Sequence, residues 1–199
     1  MEQIISKEEF DELMKVKVEV KGNGPKNIAN FILIKRGEEG LEKVTKTIRE
    51  LGYPIDYKKM SGMNFYPIGL VAVSMLISQR LFGFNNEEFQ QMGESDAKFS
   101  ALTRNFLKYF VSLERAVKEA PKMWKIYNTG GDLRVVEYNK KKKYIILRLE
   151  NFRLHPFHCQ YLIGYFRSVV QMTTGIIAVC EETKCVHRGD EYHEFLLKW

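Results

Sequence analysis

The stretch "TGGDLRVVEYNKKKKYIILRLENF", residues 129–152, decides the fold. Two runs rich in β-branched, leucine and aromatic residues, 132–138 and 143–150, flank four consecutive lysines, which is the composition of two strands joined by a solvated turn. So short a connection pairs strands antiparallel. Further on, "HPFHCQYLIGYFRSVVQMTTG" (155–175) places Cys159, Ile163, Phe166 and Val170 on one helical face, and Gly175 ends it. Residues 176–199 then form a second hairpin, in which His193 shares parity with Phe195, Leu197 and Trp199. The reading is an α+β chain, with an N-terminal helical part (1–128) followed by a β-β-α-β-β antiparallel sheet (129–199), in a single domain spanning 1–199.

Upstream, helical spacing predicts helices at 7–14, 25–34, 38–51, 68–82, from 86, and 97–118. Gly37 separates the second from the third, and Asn85 or Asn86 caps the fifth. Pro121 is expected to open a short final piece carrying Met123 and Trp124. "KVKVEVKG" alternates Val16, Val18 and Val20 with charged residues, as a half-buried strand does. "YPIDYKKMSGMNFYP", 53–67, is irregular.

The net charge is +6, but the signs alternate along the chain and only Lys140–Lys143 form a dense run. No aromatic platform or helix-turn-helix pattern accompanies them, so no nucleic-acid partner is expected. The most apolar segment, 68–77, is interrupted by Gly69 and Ser74 and falls short of the roughly 20 residues a bilayer span needs. With no signal-peptide pattern and three cysteines taken as reduced, a cytoplasmic protein without a membrane span is expected. The chain has no G-x-G-x-x-G, Walker A, G-x-S-x-G or H-E-x-x-H motif, and no enzymatic activity is expected.

All the cysteines and histidines lie in the last 45 residues. Cys159, Cys185 and His193 could hold zinc if the helix lies over the apolar face of the hairpin. The competing reading is inert buried thiols and a hydrogen-bonded histidine, because no C-x-x-C or H-x-x-x-H pair exists and strand alternation sends Cys180 and Cys185 apart. A nucleophilic Cys159, in the first helical turn beside His155 and His158, is disfavoured by apolar neighbours that raise a thiol pKa.

The last 45 residues resemble the 4-vinyl-reductase-type domain, a small-molecule or hydrocarbon-binding module. "CQYLIGYF" supplies its helical cysteine and glycine, Cys159 and Gly164. "TKCVHRGDEYHEF" supplies Cys185, Gly189, Asp190 and Phe195, with His193 where the family has a second hairpin cysteine. Residues 87–124 look like the signal helix of the haem-nitric-oxide-binding (H-NOX) fold and the helix before it. The resemblance puts Val117, beside Glu114 and Lys118, where that family has its iron-ligating histidine. No histidine lies between Asn86 and His155, and the tyrosine-serine-arginine signature is missing from 128–138. The architecture is therefore expected without haem, and with no cofactor unless zinc. Both families are grouped with TRAPP-type trafficking subunits as one ligand-binding fold.

These readings converge on a non-enzymatic sensor or carrier for a hydrophobic ligand, such as a fatty acid or other apolar metabolite. Met63, Phe65, Tyr66, Met75, Phe106, Phe110, Met123, Trp124 and Phe166 are the expected pocket residues, set against simple core filling. Tyr66, Arg104 and Tyr109 are the polar anchors. The alternative is a homodimeric assembly subunit built on helix 68–82 or on an exposed hairpin edge.

Overall fold

The structure is a computed structural model that describes residues 4–99 and 112–199. Helix α1 (Lys7–Met14) starts at Ser6, whose hydroxyl accepts the Glu9 amide, and Arg80 binds Glu9 at 2.6 Å. Strand β1 (Glu19–Lys21) pairs antiparallel with β2 (Phe65–Pro67). Of the alternating "KVKVEVKG" run only Glu19–Lys21 form the ladder, with Val18 and Gly22 adding one backbone bond each to Ile68 and Asn64, so the observed strand is shorter than the pattern. Helix α2 (Asn23–Glu50) carries both expected helices across a kink at Gly37, whose φ of 68° is open to glycine at little cost.

Helix α3 (Gly69–Phe82) is buried from Gly69 through Ser78. Those residues are covered by this chain's own elements, and only the last turn, Gln79–Phe82, reaches the surface. Ser74 and Ser78 return their hydroxyls to carbonyls one turn back, and Tyr57 meets Ser74 at 2.6 Å. Helix α4 (Asn86–Phe99) is capped by Asn85, whose carbonyl oxygen accepts the Glu87 and Glu88 amides.

The helix expected over 97–118 is not continuous. Ala97 and Lys98 belong to α4, whereas Ser112 is extended and caps a separate helix, α5 (Leu113–Tyr127). Leu102, Phe106 and Phe110 lie outside the described residues. Pro121 sits inside α5 and forgoes one i→i−4 bond without starting a new piece.

The second half matches the expected order. Strands β3 (Asp132–Asn139) and β4 (Tyr144–Glu150) form the first hairpin, helix α6 (Pro156–Thr174) follows, and β5 (Val179–Lys184) and β6 (His193–Lys198) complete an antiparallel sheet of order β3-β4-β6-β5. Ile145, Leu147 and Leu149 of β4 stand opposite Leu197, Phe195 and His193 of β6 on the buried face. Helix α6 covers that face and packs against α4 on its other side. The α4–α6 approach is backbone to backbone: a Cβ on Gly164 would lie 1.9 Å from the Gln90 carbonyl oxygen, and one on Gly93 2.0 Å from that of Tyr161. Among the described residues no helix is long and apolar enough to cross a membrane.

Candidate functional site

Two constellations share helix α6, one at its first turn and one along its length. At the first turn, Cys159 Sγ stands 3.9 Å from Cys185 Sγ and 3.7 Å from His193 Nδ1. His193 Nδ1 is 2.9 Å from Glu182 Oε1, and the four ligand atoms lie within 4.8 Å of one another. Cys159, Cys185 and His193 are buried, and the Glu182 side chain is only 5% exposed. The structure thus brings the three expected metal ligands together and adds Glu182.

The local chemistry explains the convergence. The β5–β6 register slips between Glu182 and Lys184, and that bulge reverses the alternation. Glu182 and Cys185, of opposite parity in a regular strand, therefore both reach α6. After Cys185 a single 3₁₀ turn (Val186–Arg188) ends at Gly189, with φ 96°. The Asp190 carboxylate accepts the Cys185 amide at 2.8 Å, while the Asp190 amide returns to the Cys185 carbonyl at 3.2 Å. The Gly-Asp turn is the clamp that holds Cys185 in place.

Two sulfurs, one imidazole nitrogen and one carboxylate oxygen form a zinc-type donor set. A tetrahedral ion at about 2.3 Å from sulfur and about 2.0 Å from nitrogen sets S···S at roughly 3.8 Å and S···N at roughly 3.5 Å. The observed spacings are close to both. Burial, followed by the Glu182 charge, pushes the Cys159 thiol far up. Burial pushes Cys185 up as well. Burial alone would raise Glu182, but hydrogen bonds from His193, Cys185 and Cys159 outweigh it and hold the carboxyl below its usual range. High thiol pKa values disfavour a free nucleophile; a metal would displace the thiol protons. Cys180 is pushed to about 12 by burial and stands outside the cluster.

Along α6, His158, Tyr161 and Phe166 border a partly open cavity of about 200 Å³, whose other walls come from α2, α3, α4, α5 and the sheet. Its walls are mostly apolar: Ile28, Val71, Ala116, Val117, Leu147 and Leu197 come from five different elements. The polar part is compact. Asp96 of α4 accepts hydrogen bonds from Asn27 Nδ2 and from the Tyr161 hydroxyl, and all three residues border the cavity. Burial raises Asp96 to about 6 against the lowering effect of those two bonds. Burial, then the charges of His193, His155 and His187, lowers His158 to about 3, so its imidazole is neutral.

Of the residues expected to line a pocket, Met123, Trp124 and Phe166 border this cavity. Met75 is in the core, away from the cavity; Met63 and Phe65 are 62% and 41% exposed, and Tyr66 accepts the Ser61 amide. Phe106, Phe110, Arg104 and Tyr109 lie outside the described residues. Sequence reasoning did not name Asp96, Asn27, Tyr161 or His158 as wall residues.

No family model matches the sequence, and the search of curated proteins returns no match. Solved structures do match. An H-NOX protein from S. oneidensis in the Fe(II)NO ligation state superposes with a TM-score of 0.66 at 14% identity, over 89% of this chain and 98% of that one. The Fe(II) unliganded H-NOX protein from K. algicida gives 0.65 at 11%, over 89% and 95%. A structure probing the function of heme distortion in the H-NOX family gives 0.59 at 16%, over 90% and 94%. The fold is that of the H-NOX proteins. The 4-vinyl-reductase resemblance stays with the residues that suggested it.

The expectation that haem is excluded must be corrected. It rested on the missing histidine at Val117, whereas the structures sharing this fold are described by Fe(II) states and by heme. The cavity here carries an imidazole on α6, at His158, outside the interval between Asn86 and His155 that lacks histidine. A neutral buried imidazole is the form that binds iron, so the wall offers a donor for such a group, although a space of about 200 Å³ is smaller than a haem.

Proposed function

We propose that this chain is a non-enzymatic small-molecule sensor or carrier whose receptor site is the central cavity. The observation that carries the reading is the cavity's position: its walls come from the helical part, from α6 and from the sheet together, so an occupant touches every layer. A ligand that prefers one arrangement of those layers shifts their equilibrium by its differential affinity. The volume suits a hydrophobic guest of about one ring, since an engineered apolar cavity of about 150 Å³ in another protein takes up benzene.

The four-residue cluster supports that role as a zinc clamp. Cys159 lies on the helix that supplies His158, Tyr161 and Phe166 to the cavity, while Glu182, Cys185 and His193 lie on the β5–β6 hairpin. A bound ion would pin the first turn of α6 to the sheet and fix that wall. Native mass spectrometry and elemental analysis of the purified protein test both parts. One zinc per chain and uptake of toluene are expected; neither metal nor toluene retained would overturn the reading.

A second reading has its own observation, the neutral imidazole of His158 in the cavity wall. Holding a haem iron through His158 requires the walls to part, because about 200 Å³ takes about one ring, and the haem would supply a redox-active metal centre. Titration with haem reads this directly. A Soret shift lost in His158→Ala supports it, and an unchanged spectrum of free haem dismisses it.

A further inference from the structure

We propose that the occupant of the central cavity carries a cationic nitrogen on a compact apolar body, and that Asp96 is the residue that selects it. The inference rests on the cavity being the receptor site and adds the chemistry of its guest. Each Asp96 oxygen takes one hydrogen bond, Oδ1 from Asn27 and Oδ2 from Tyr161. A carboxylate has about four acceptor positions, so roughly half of its capacity is unused. Asp96 is half-buried and borders the cavity.

Among the described residues no lysine, arginine or histidine nitrogen pairs with it. The basic side chains of the wall are engaged or uncharged: Lys21 Nζ lies 5.4 Å over the Phe65 ring, and His158 is neutral. A carboxylate solvated inside a protein by two neutral donors is incompletely compensated. A guest ammonium supplies the missing charge and further hydrogen bonds. A neutral hydrocarbon would leave Asp96 as it is, and an anion would meet like charge.

The test is calorimetric titration at about pH 7.5, where amines are protonated and Asp96 is ionised. Four probes share one ring: benzylamine, benzyl alcohol, toluene and benzoate. Benzylamine is expected to bind at least about tenfold tighter than toluene, as for a charge-assisted hydrogen bond, with the alcohol between them and benzoate not bound. Asp96→Asn should bring benzylamine down to the affinity that the same variant shows for toluene, and an unfolding transition followed by circular dichroism shows that the variant is folded. Toluene binding as tightly as benzylamine to the wild type would overturn the inference while sparing the receptor site, and so would an amine preference that survives Asp96→Asn. Binding of none of the four would overturn both.

Discussion

Replacing Gly164 by alanine should separate the two helices that support both sites. The added methyl would sit 1.9 Å from the Gln90 carbonyl oxygen. An ordinary contact needs about 3.4 Å or more, so α4 and α6 must part by over about 1 Å or tilt. Both contacting groups are helix backbone, and no side-chain rotation relieves the clash. Overpacking of this kind costs about 1–3 kcal/mol, and the rigidity of the contact places Gly164→Ala at the upper end. For a chain of this length, about 3 kcal/mol lowers Tm by about 6–12 °C. The displacement also stretches the Asp96–Tyr161 hydrogen bond, which spans the same two helices. Thermal unfolding followed by circular dichroism reads the first effect, and toluene titration reads the second. A Tm within about 1 °C of wild type would refute the described helix approach and, with it, the placement of Asp96 in the cavity wall.

Three further outcomes follow from the same geometry. Cys185→Ser and His193→Ala should each abolish stoichiometric zinc in elemental analysis, and Glu182→Gln should weaken it, because Glu182 contributes the single oxygen donor. Stripping zinc with a chelator should lower Tm in the wild type and leave Cys185→Ser unmoved, since only the former loses a ligand of its native state. For pH, Asp96 has a folded value raised to about 6 from 3.8. Its contribution is therefore present below the unfolded value and lost as pH rises through about 6. Two units correspond to about 3 kcal/mol, so between pH 4 and about 7.5 Asp96→Asn should gain roughly that much on wild type in urea unfolding. An equal difference at both pH values would contradict the burial of an ionisable Asp96.

The order of elements was legible because periodicity and turn chemistry agreed. The apolar alternation of Ile145, Leu147 and Leu149, the lysine turn, and the glycines at 37 and 175 each marked an element or its end. Strand β2 was not, since three residues, Phe65–Pro67, are a strand only by virtue of pairing with β1. The break at Ser112 carried a signal that the apolar stripe masked: a serine followed by Glu114 in the next turn is a cap. At the candidate metal site, alternation correctly placed His193 with Phe195, but a bulge, invisible in a regular strand pattern, turns Glu182 toward Cys159. The cavity's polar group was hidden for another reason. Asp96 lies in "GESDAKF", which reads as a solvated helical face until α6 is laid against it.

The central claim is that helices and sheet enclose room for a guest molecule instead of meeting tightly. Calorimetric titration of toluene into the wild type and into Ala116→Trp, which fills the space from α5, tests it most directly. Saturation at one equivalent in the wild type and none in Ala116→Trp is the predicted result. Absence of binding to the wild type, or unchanged binding to the filled variant, would contradict it.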